Sequence, residues 1–502
     1  MRVDHKSRWL LVTLLAASVL YGLVVDRQLD LNGDSPRYVM LARSLIRGTG
    51  YISDFGIRDR PETQYPYGYP LLLGPLVAAF GPSNYLSFKL LSVTCMILAV
   101  WGAWFWLRRW IPRDEAFLAA VACALSAQFQ FYSVATLTEA PFLAASFFCL
   151  GSMEQLTRRV PPKPGDWVLF LITLSIAFHL RVAGIGLLLA SCVTLLIRGR
   201  PKMCLVSSVL GISVCLPWLI RLARLGSAYQ TEFEEVTPGI VSFAKRIAYN
   251  GAADVAKALP DLFFFPFFSR ILPYEPLFFV KAAVGLAILG VMAWGLWKHF
   301  SPYLWINGFK PRQIRMRVSA SEVYLAVYMA ICLSWTTHGD RFLLPIMPVL
   351  IYLLIKGFGR HGKELILMLV VANLFGCTIR IIHAWENSRP SEEAGFLEAA
   401  AWLQKNADPS QRVMSRFPTW IAAVNGQRGL RWESSPDPDL HRQALLQNRI
   451  RWIILDHNRL FRDTAAQLMT PLIQKYPSEF VLRFESSQKP STRVYEFTSD
   501  QR

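Results

Sequence analysis

The sequence predicts an all-α polytopic membrane bundle followed by a small α/β domain, from its composition, its segmentation and a change of character near residue 382. Of 502 residues, 53% are hydrophobic and 18% charged, more apolar than a soluble domain, which points to lipid as the solvent. Long apolar stretches recur over residues 1–382, and residues 383–502 return to mixed polarity. The formal charge of +18 sits in short clusters between apolar stretches. That pattern argues for a membrane orientation signal and against nucleic acid as a partner.

A helix needs roughly 20 mostly apolar residues to cross hydrocarbon. On that ruler eleven spans are expected, near 9–25, 85–107, 116–132, 139–156, 167–180, 184–197, 203–220, 277–297, 320–337, 342–356 and 364–382. Two shorter apolar pieces, Tyr69–Phe80 and Leu259–Phe268, read as re-entrant or interfacial. The first run follows Arg2, Lys6 and Arg8 and continues past Ala16-Ala17-Ser18, so it reads as an uncleaved anchor. Alternate connections carry the basic clusters: Arg108, Arg109 and Arg113; Arg158, Arg159 and Lys163; Arg198, Arg200 and Lys202; Lys310, Arg312, Arg315 and Arg317; Lys356, Arg360 and Lys363. By the positive-inside rule these are cytoplasmic, with the amino terminus. Loops 26–75 and 221–276 and the segment 383–502 then lie outside. All eight cysteines fall in apolar stretches, so no disulfide framework is implied.

In the carboxy-terminal segment Ala394–Asn406 has helical periodicity, Arg449–Asp456 and Ser491–Thr498 have β-rich character, and Pro409, Pro436 and Pro438 mark turns. No internal repeat stands out.

The first outside loop is the most informative stretch. Ser35 suits an N-cap and Pro36 the first helical position, and Tyr38, Leu41, Ala42, Leu45 and Ile46 recur at helical spacing before Gly48. Arg37, Arg43 and Arg47 hold the other face, as in a helix lying among lipid headgroups. Asp34 precedes its positive end. Two readings stay open for it: an ionised carboxylate that takes a proton from an attacking hydroxyl, or a helix cap.

Tyr65 and Tyr67, in Tyr65-Pro-Tyr-Gly-Tyr-Pro70, read either as a sugar-stacking wall or as an interface aromatic belt. Glu139 falls at the outer end of a span, where a carboxylate usually faces a protein interior or a cavity. Arg181 occupies a tight outside turn, as a phosphate contact or as a snorkelling side chain. A second tight turn offers His338, Asp340 and Arg341. On this topology Asp34, Glu139, Arg181 and Arg341 share one face of the membrane, where acids would activate an acceptor and cations would hold a phosphate. Asp437-Pro-Asp439 reads as a turn. The chain has no Walker loop, no His-Glu-x-x-His and no Cys-x-x-Cys. No metal ligands are assigned, and a divalent metal is the one cofactor left open.

The ordered set of Gly33-Asp-Ser-Pro-Arg-Tyr38, Gly48-x-Gly-Tyr51, a Pro-x-x-Tyr-Pro entry to the next apolar segment, Thr138-Glu-Ala-Pro141 and Arg341-Phe-Leu-Leu-Pro-Ile-Met-Pro348 resembles the bacterial membrane glycosyltransferases related to protein mannosyltransferases and the aminoarabinose transferase of lipid A. The Ala400-Ala-Trp-Leu403 helix and the late Arg-Val-Tyr-Glu-Phe497 strand fit the same family. The resemblance implies a GT-C fold in a bacterial inner membrane, with an extracytoplasmic active site and inversion at the anomeric carbon. It also implies a polyprenyl-phosphate sugar as donor and a lipid, polysaccharide or protein as acceptor, with membrane lipids as surroundings. The family's first-loop aspartate matches Asp34 as base, its next acid matches Glu139, and its basic residue before a glycine matches Arg181 approximately. Ser35 stands where members often carry a second acid. A transporter or flippase of lipid-linked sugars is the alternative, and the absence of repeated halves argues against it.

Overall fold

The computed structural model describes residues 5–31, 34–159, 161–237, 239–264, 274–305, 318–336, 339–386, 391–432, 435, 437–456 and 462–498. Arg2, the cluster Lys310, Arg312, Arg315 and Arg317, His338 and Pro436 lie outside those residues. The chain forms two compact units: Met1–Asp26, Thr63–Tyr69 and Phe88–Trp385 in one, and Arg27–Glu62, Pro70–Ser87 and Glu386–Arg502 in the other.

In the first unit every expected span falls on a helix: His5–Gly22, Tyr85–Trp110, the pair Arg113–Ala124 and Ala127–Ser133, Glu139–Arg158, Pro164–Leu180, Ile185–Ile197, Pro201–Leu225, Tyr274–Trp305, Ala320–Ser334, Met347–Phe358 and Gly362–Trp385. Four described stretches, Tyr85–Trp110, Pro201–Leu225, Phe278–Ser301 and Asp340–Trp385, are long and apolar enough to cross a bilayer. The pair at 113–133, bent by 56°, makes a fifth where it is counted as one broken span, and Pro164–Leu180 and Ala320–Ser334 are among the shorter apolar helices. This is the build of an integral membrane protein.

Exposed Leu205, Val209, Leu367 and Val371 are apolar side chains turned outward, which suits lipid as the surroundings. The inward positions use small residues. Glu139–Arg158 buries Ala140, Ala144, Ser146, Gly151 and Ser152, which lets helices approach closely without a hydrophobic drive between them. A Cβ on Gly295 would lie 2.0 Å from the Leu353 carbonyl oxygen, and one on Gly357 2.3 Å from that of Val291. Tyr274–Trp305 and Met347–Phe358 therefore touch backbone to backbone at that point.

The basic clusters also close helix ends. Arg198 donates to the Thr157 carbonyl at 2.6 Å and, through Nε, to that of Val318 at 3.0 Å, and Arg200 reaches Thr157 at 2.9 Å. Cations here satisfy carbonyls that a helix terminus leaves without partners.

The second unit is a mixed sheet with helices on both faces. A short antiparallel pair, β1 (Ile52–Ser53) and β2 (Arg60–Pro61), lies in the first loop. The main sheet contains β3 (Arg412–Met414), β4 (Gly429–Leu430), β5 (Ile450–Leu455), β6 (Phe480–Glu485) and β7 (Arg493–Phe497), in the order β4-β3-β5-β7-β6. β3 is parallel to β4 and β5, and β7 is antiparallel to its neighbours β5 and β6. On one side Ile450, Ile453 and Leu455 pack with Leu445, Leu468, Met469 and Leu472. On the other, Trp452 and Ile454 pack with Phe396, Ala400, Leu403 and Trp420, and with Leu29 and Leu31 from the first loop.

The first loop is thus part of this unit's core. It also covers the sheet's edge, because Gly429 donates its backbone N–H to the Phe55 carbonyl at 3.0 Å and Arg428 pairs with Asp59 at 2.9 Å. An edge covered this way has fewer open backbone groups to offer another chain.

Two expectations change here. The Ser35–Ile46 helix was expected to lie among headgroups, but Tyr38, Val39, Met40, Leu41 and Ala42 are buried in protein. Its apolar face packs on the Pro418–Asn425 helix, which supplies the apolar cover that lipid would otherwise give. The helix also starts one residue earlier than expected, with Asp34 rather than Ser35 as N-cap. The expected carboxy-terminal strands and helix appear as β5, β7 and Ser391–Asn406. At the Asp-Pro-Asp run, Asp437 accepts from the Asp439 N–H at 2.9 Å, a helix cap in keeping with the turn reading.

Candidate active site

In the unit of spans, three helix ends bring together four side chains singled out by sequence. Glu139 opens the Glu139–Arg158 helix, where the positive end of the helix dipole favours a carboxylate. It is only 3% exposed. Arg181 stands at the end of Pro164–Leu180 in extended backbone (φ −149°, ψ 130°). The chain reverses there within three residues, and a Cβ on Gly184 would lie 2.7 Å from the Phe178 nitrogen, so a larger residue would push the turn open. Arg341 belongs to a single 3-10 turn, Asp340–Phe342.

Arg181 Nη1 donates to Glu139 Oε1 at 2.7 Å, and Arg341 Nη1 lies 3.9 Å from the same oxygen. The Phe342 ring sits 5.4 Å from the Arg181 guanidinium and 5.0 Å from that of Arg341, and Phe142 lies 5.7 Å from Arg181. Two like charges are thus held near each other by a shared carboxylate and by ring faces that attract cations. Glu139 cannot be left unpaired in apolar surroundings without a large cost.

Asp340 is the fourth. It accepts from Gln128 Nε2 at 2.7 Å and from the Tyr132 hydroxyl at 3.5 Å, and from the Arg341 backbone N–H at 2.9 Å. Gln128 also donates to the Asp261 carbonyl at 3.0 Å, and the Asp261 side chain pairs with Lys281 at 2.6 Å. Gln128, Tyr132, Asp261 and Lys281 escaped the sequence reading. Amides and a lysine inside apolar runs were the available signal, because polar groups at membrane depth rarely lack a role.

The Tyr67 ring lies tilted against His179, 4.8 Å between centroids, and meets Trp218 edge-on at 5.9 Å. His179 is two residues before Arg181 in sequence, which puts this aromatic group on the same helix end. Tyr65 is buried. His338 lies outside the described residues. Among the described residues no group of three His, Cys, Asp or Glu side chains gathers to hold a metal. Asp340 accepts from these N–H and O–H donors, and the Asp261 carboxylate is near enough to repel it.

Asp34 belongs to the other unit. Its backbone caps Ser35–Ile46 while its side chain makes no capping bond, so a simple side-chain cap is not what it provides. Ser35 Oγ donates to Asp30 at 2.9 Å. Arg37, in the first turn, is held by Glu62, which is 1% exposed and accepts from Arg37 Nη2 at 2.9 Å and Nε at 3.2 Å and from the Ser53 hydroxyl at 2.6 Å. The start of the Asp34 helix is therefore clamped by a buried carboxylate that the sequence did not reveal.

No protein-family model matches the chain, and no curated protein matches it. Its fold does match solved structures. The oligosaccharyltransferase AglB of Archaeoglobus fulgidus, in complex with an inhibitory peptide and a dolichol-phosphate, superposes with a TM-score of 0.58 at 11% identity, covering 99% of this chain and 75% of that one. ArnT of Cupriavidus metallidurans, bound to undecaprenyl phosphate, gives 0.53 at 13% identity over 98% of both chains. A further AglB structure, in complex with zinc and sulfate, gives 0.57 at 12% identity, over 96% of this chain and 72% of that one. The chain has the fold these membrane transferases share, which is the GT-C fold that the sequence resemblance implied.

Proposed function

We propose that this chain is a membrane glycosyltransferase that moves a sugar from a polyprenyl-phosphate donor to a lipid, polysaccharide or protein acceptor outside the cytoplasm. The observation that carries this reading is the meeting of Arg181 and Arg341 at Glu139, in a fold shared with AglB bound to a dolichol-phosphate and ArnT bound to undecaprenyl phosphate.

In the proposed reaction the bond between the anomeric carbon and the phosphate oxygen breaks, and its electron pair leaves with the lipid phosphate. The acceptor hydroxyl attacks the opposite face, which inverts the centre, and its proton passes to Asp34. Charge grows on the phosphate as the bond breaks, so guanidinium groups already oriented by Glu139 stabilise the transition state more than the ground state. Their planar forks suit phosphate oxygens. Tyr65, Tyr67, His338 and Asp340 are assigned to the sugar. The chain is assigned to a bacterial inner membrane with a cytoplasmic amino terminus and 383–502 outside, as the basic clusters suggest.

Purified protein supplied with a polyprenyl-phosphate sugar should release the lipid phosphate and glycosylate an acceptor. Asp34→Asn should abolish turnover without lowering the unfolding temperature; full activity in that variant would remove Asp34 from the mechanism. Movement of a labelled lipid-linked sugar across proteoliposomes, its covalent structure intact, would replace this reading with that of a flippase.

A further inference from the structure

Within the unit of spans, the Ile240–Ala253 helix has two faces of opposite character. Phe243, Ile247 and Asn250 turn inward. Phe243 meets Phe233 at 6.1 Å, and Asn250 Nδ2 donates to the Leu333 and Trp335 carbonyls at 2.8 and 3.0 Å. The opposite face carries Ile240, Val241, Ala244, Lys245, Ala248, Tyr249 and Ala252, all exposed. Ile240 is 84% exposed, Tyr249 71% and Val241 64%. Water is a poor solvent for such a stripe, and a protein seldom leaves one uncovered without a partner.

We propose that this face docks in the lipid headgroup layer, with Ile240, Val241 and Tyr249 toward the acyl boundary and Lys245 toward lipid phosphates. Two features select lipid as the occupant. Asn250 fastens the helix to the end of Ala320–Ser334, and the end of an apolar helix marks the depth at which hydrocarbon gives way to headgroups. The same unit also turns Leu216, Leu219, Ile220 and Leu225 of Pro201–Leu225 outward, so an uncovered apolar surface is not confined to this helix. Its cation complements anionic lipid, and its tyrosine suits a wet and apolar boundary. Of the three segments expected to be interfacial, Ser35–Ile46 and the described Leu259–Phe264 part of the 259–268 stretch are largely buried in protein, while Gly68–Phe80 exposes Leu71, Leu72 and Phe80.

The test uses full-length protein in nanodiscs of phosphatidylethanolamine and phosphatidylglycerol, with a fluorescent non-natural residue at Ile240, Tyr249 or, as an inward control, Phe243. Emission from positions 240 and 249 should be quenched by lipids brominated on their acyl chains and shielded from aqueous iodide, while position 243 responds to neither. Iodide quenching at 240 and 249 without a bromolipid effect would overturn the proposal. Shielding from both quenchers would also overturn it, by showing a protein partner instead. Neither readout depends on transferase activity.

Discussion

In the unit of spans, Glu139 meets Arg181 and Arg341 through turns that close at the ends of helices. In the sheet unit, Asp34 rides on a loop whose core partners, Phe396, Trp420 and Trp452, come from the far end of the chain. The first arrangement is enforced locally, because a charge among apolar helices must find an opposite charge nearby. The second is enforced by folding, because the loop has little core of its own and borrows one. Cations and proposed base thus depend on different kinds of stability, and damage to one need not touch the other.

The largest expected effect comes from ending the chain after Trp385. Leu29 and Leu31 would lose their core, so turnover should vanish and limited proteolysis should cut within residues 27–62. Continued donor cleavage by the truncated protein would break the comparison. Next, Arg181→Ala should lower turnover by about 10²–10³-fold. It should also destabilise the bundle by roughly 3–5 kcal/mol, because Glu139 loses its nearest partner. Arg181→Lys should recover more stability than turnover, since it restores charge without the planar fork. A variant that lost only stability would mark the cluster as purely structural.

A smaller effect is expected for Glu62→Ala. Releasing Arg37 should cost about 1–3 kcal/mol of local stability and lower the maximal rate several-fold with little change in donor affinity, and Glu62→Gln should recover part of the loss. The mildest test is pH. Burial pushes the Asp456 carboxyl up to about 6, against the pull of Arg416. An unfolded aspartate titrates near 3.9, so between the two values the folded state holds the extra proton. The contribution of Asp456 to the sheet unit's stability should be greatest below about pH 4 and fall by roughly 3 kcal/mol as pH rises to about 6. Hydrogen exchange at Ile453 and Ile454, corrected for intrinsic rates, would read this, and Asp456→Asn should flatten the dependence.

The helices of the first unit were legible because apolar runs of helical length have few other uses, and Glu139, Arg181, Asp340 and Arg341 were legible because charges at the ends of such runs are conspicuous against them. Gln128 and Lys281 were overlooked as minor interruptions of apolar runs, although that interruption was the signal. The sheet was only half legible. β5 and β7 are apolar enough to read as strands, but β4 spans only Gly429–Leu430 and β6 exposes Val481 and Leu482, so neither shows a buried alternation. The fate of Ser35–Ile46 was out of reach, because an amphipathic helix has the same pattern whether lipid or another helix covers its apolar face. Glu62 left no trace at all, since nothing in a lone glutamate announces that Arg37 and Ser53 will converge on it.

That the sheet unit is stitched from both ends of the chain has a consequence for biogenesis. Residues 27–62 leave the ribosome well before the Phe396, Trp420 and Trp452 layer exists. At about 5–20 residues per second the wait is some tens of seconds. A nascent chain can therefore insert most of these helices before the loop that carries Asp34 acquires its support, and synthesis itself keeps the proposed base out of service until the layer that ends at Trp452 has been delivered.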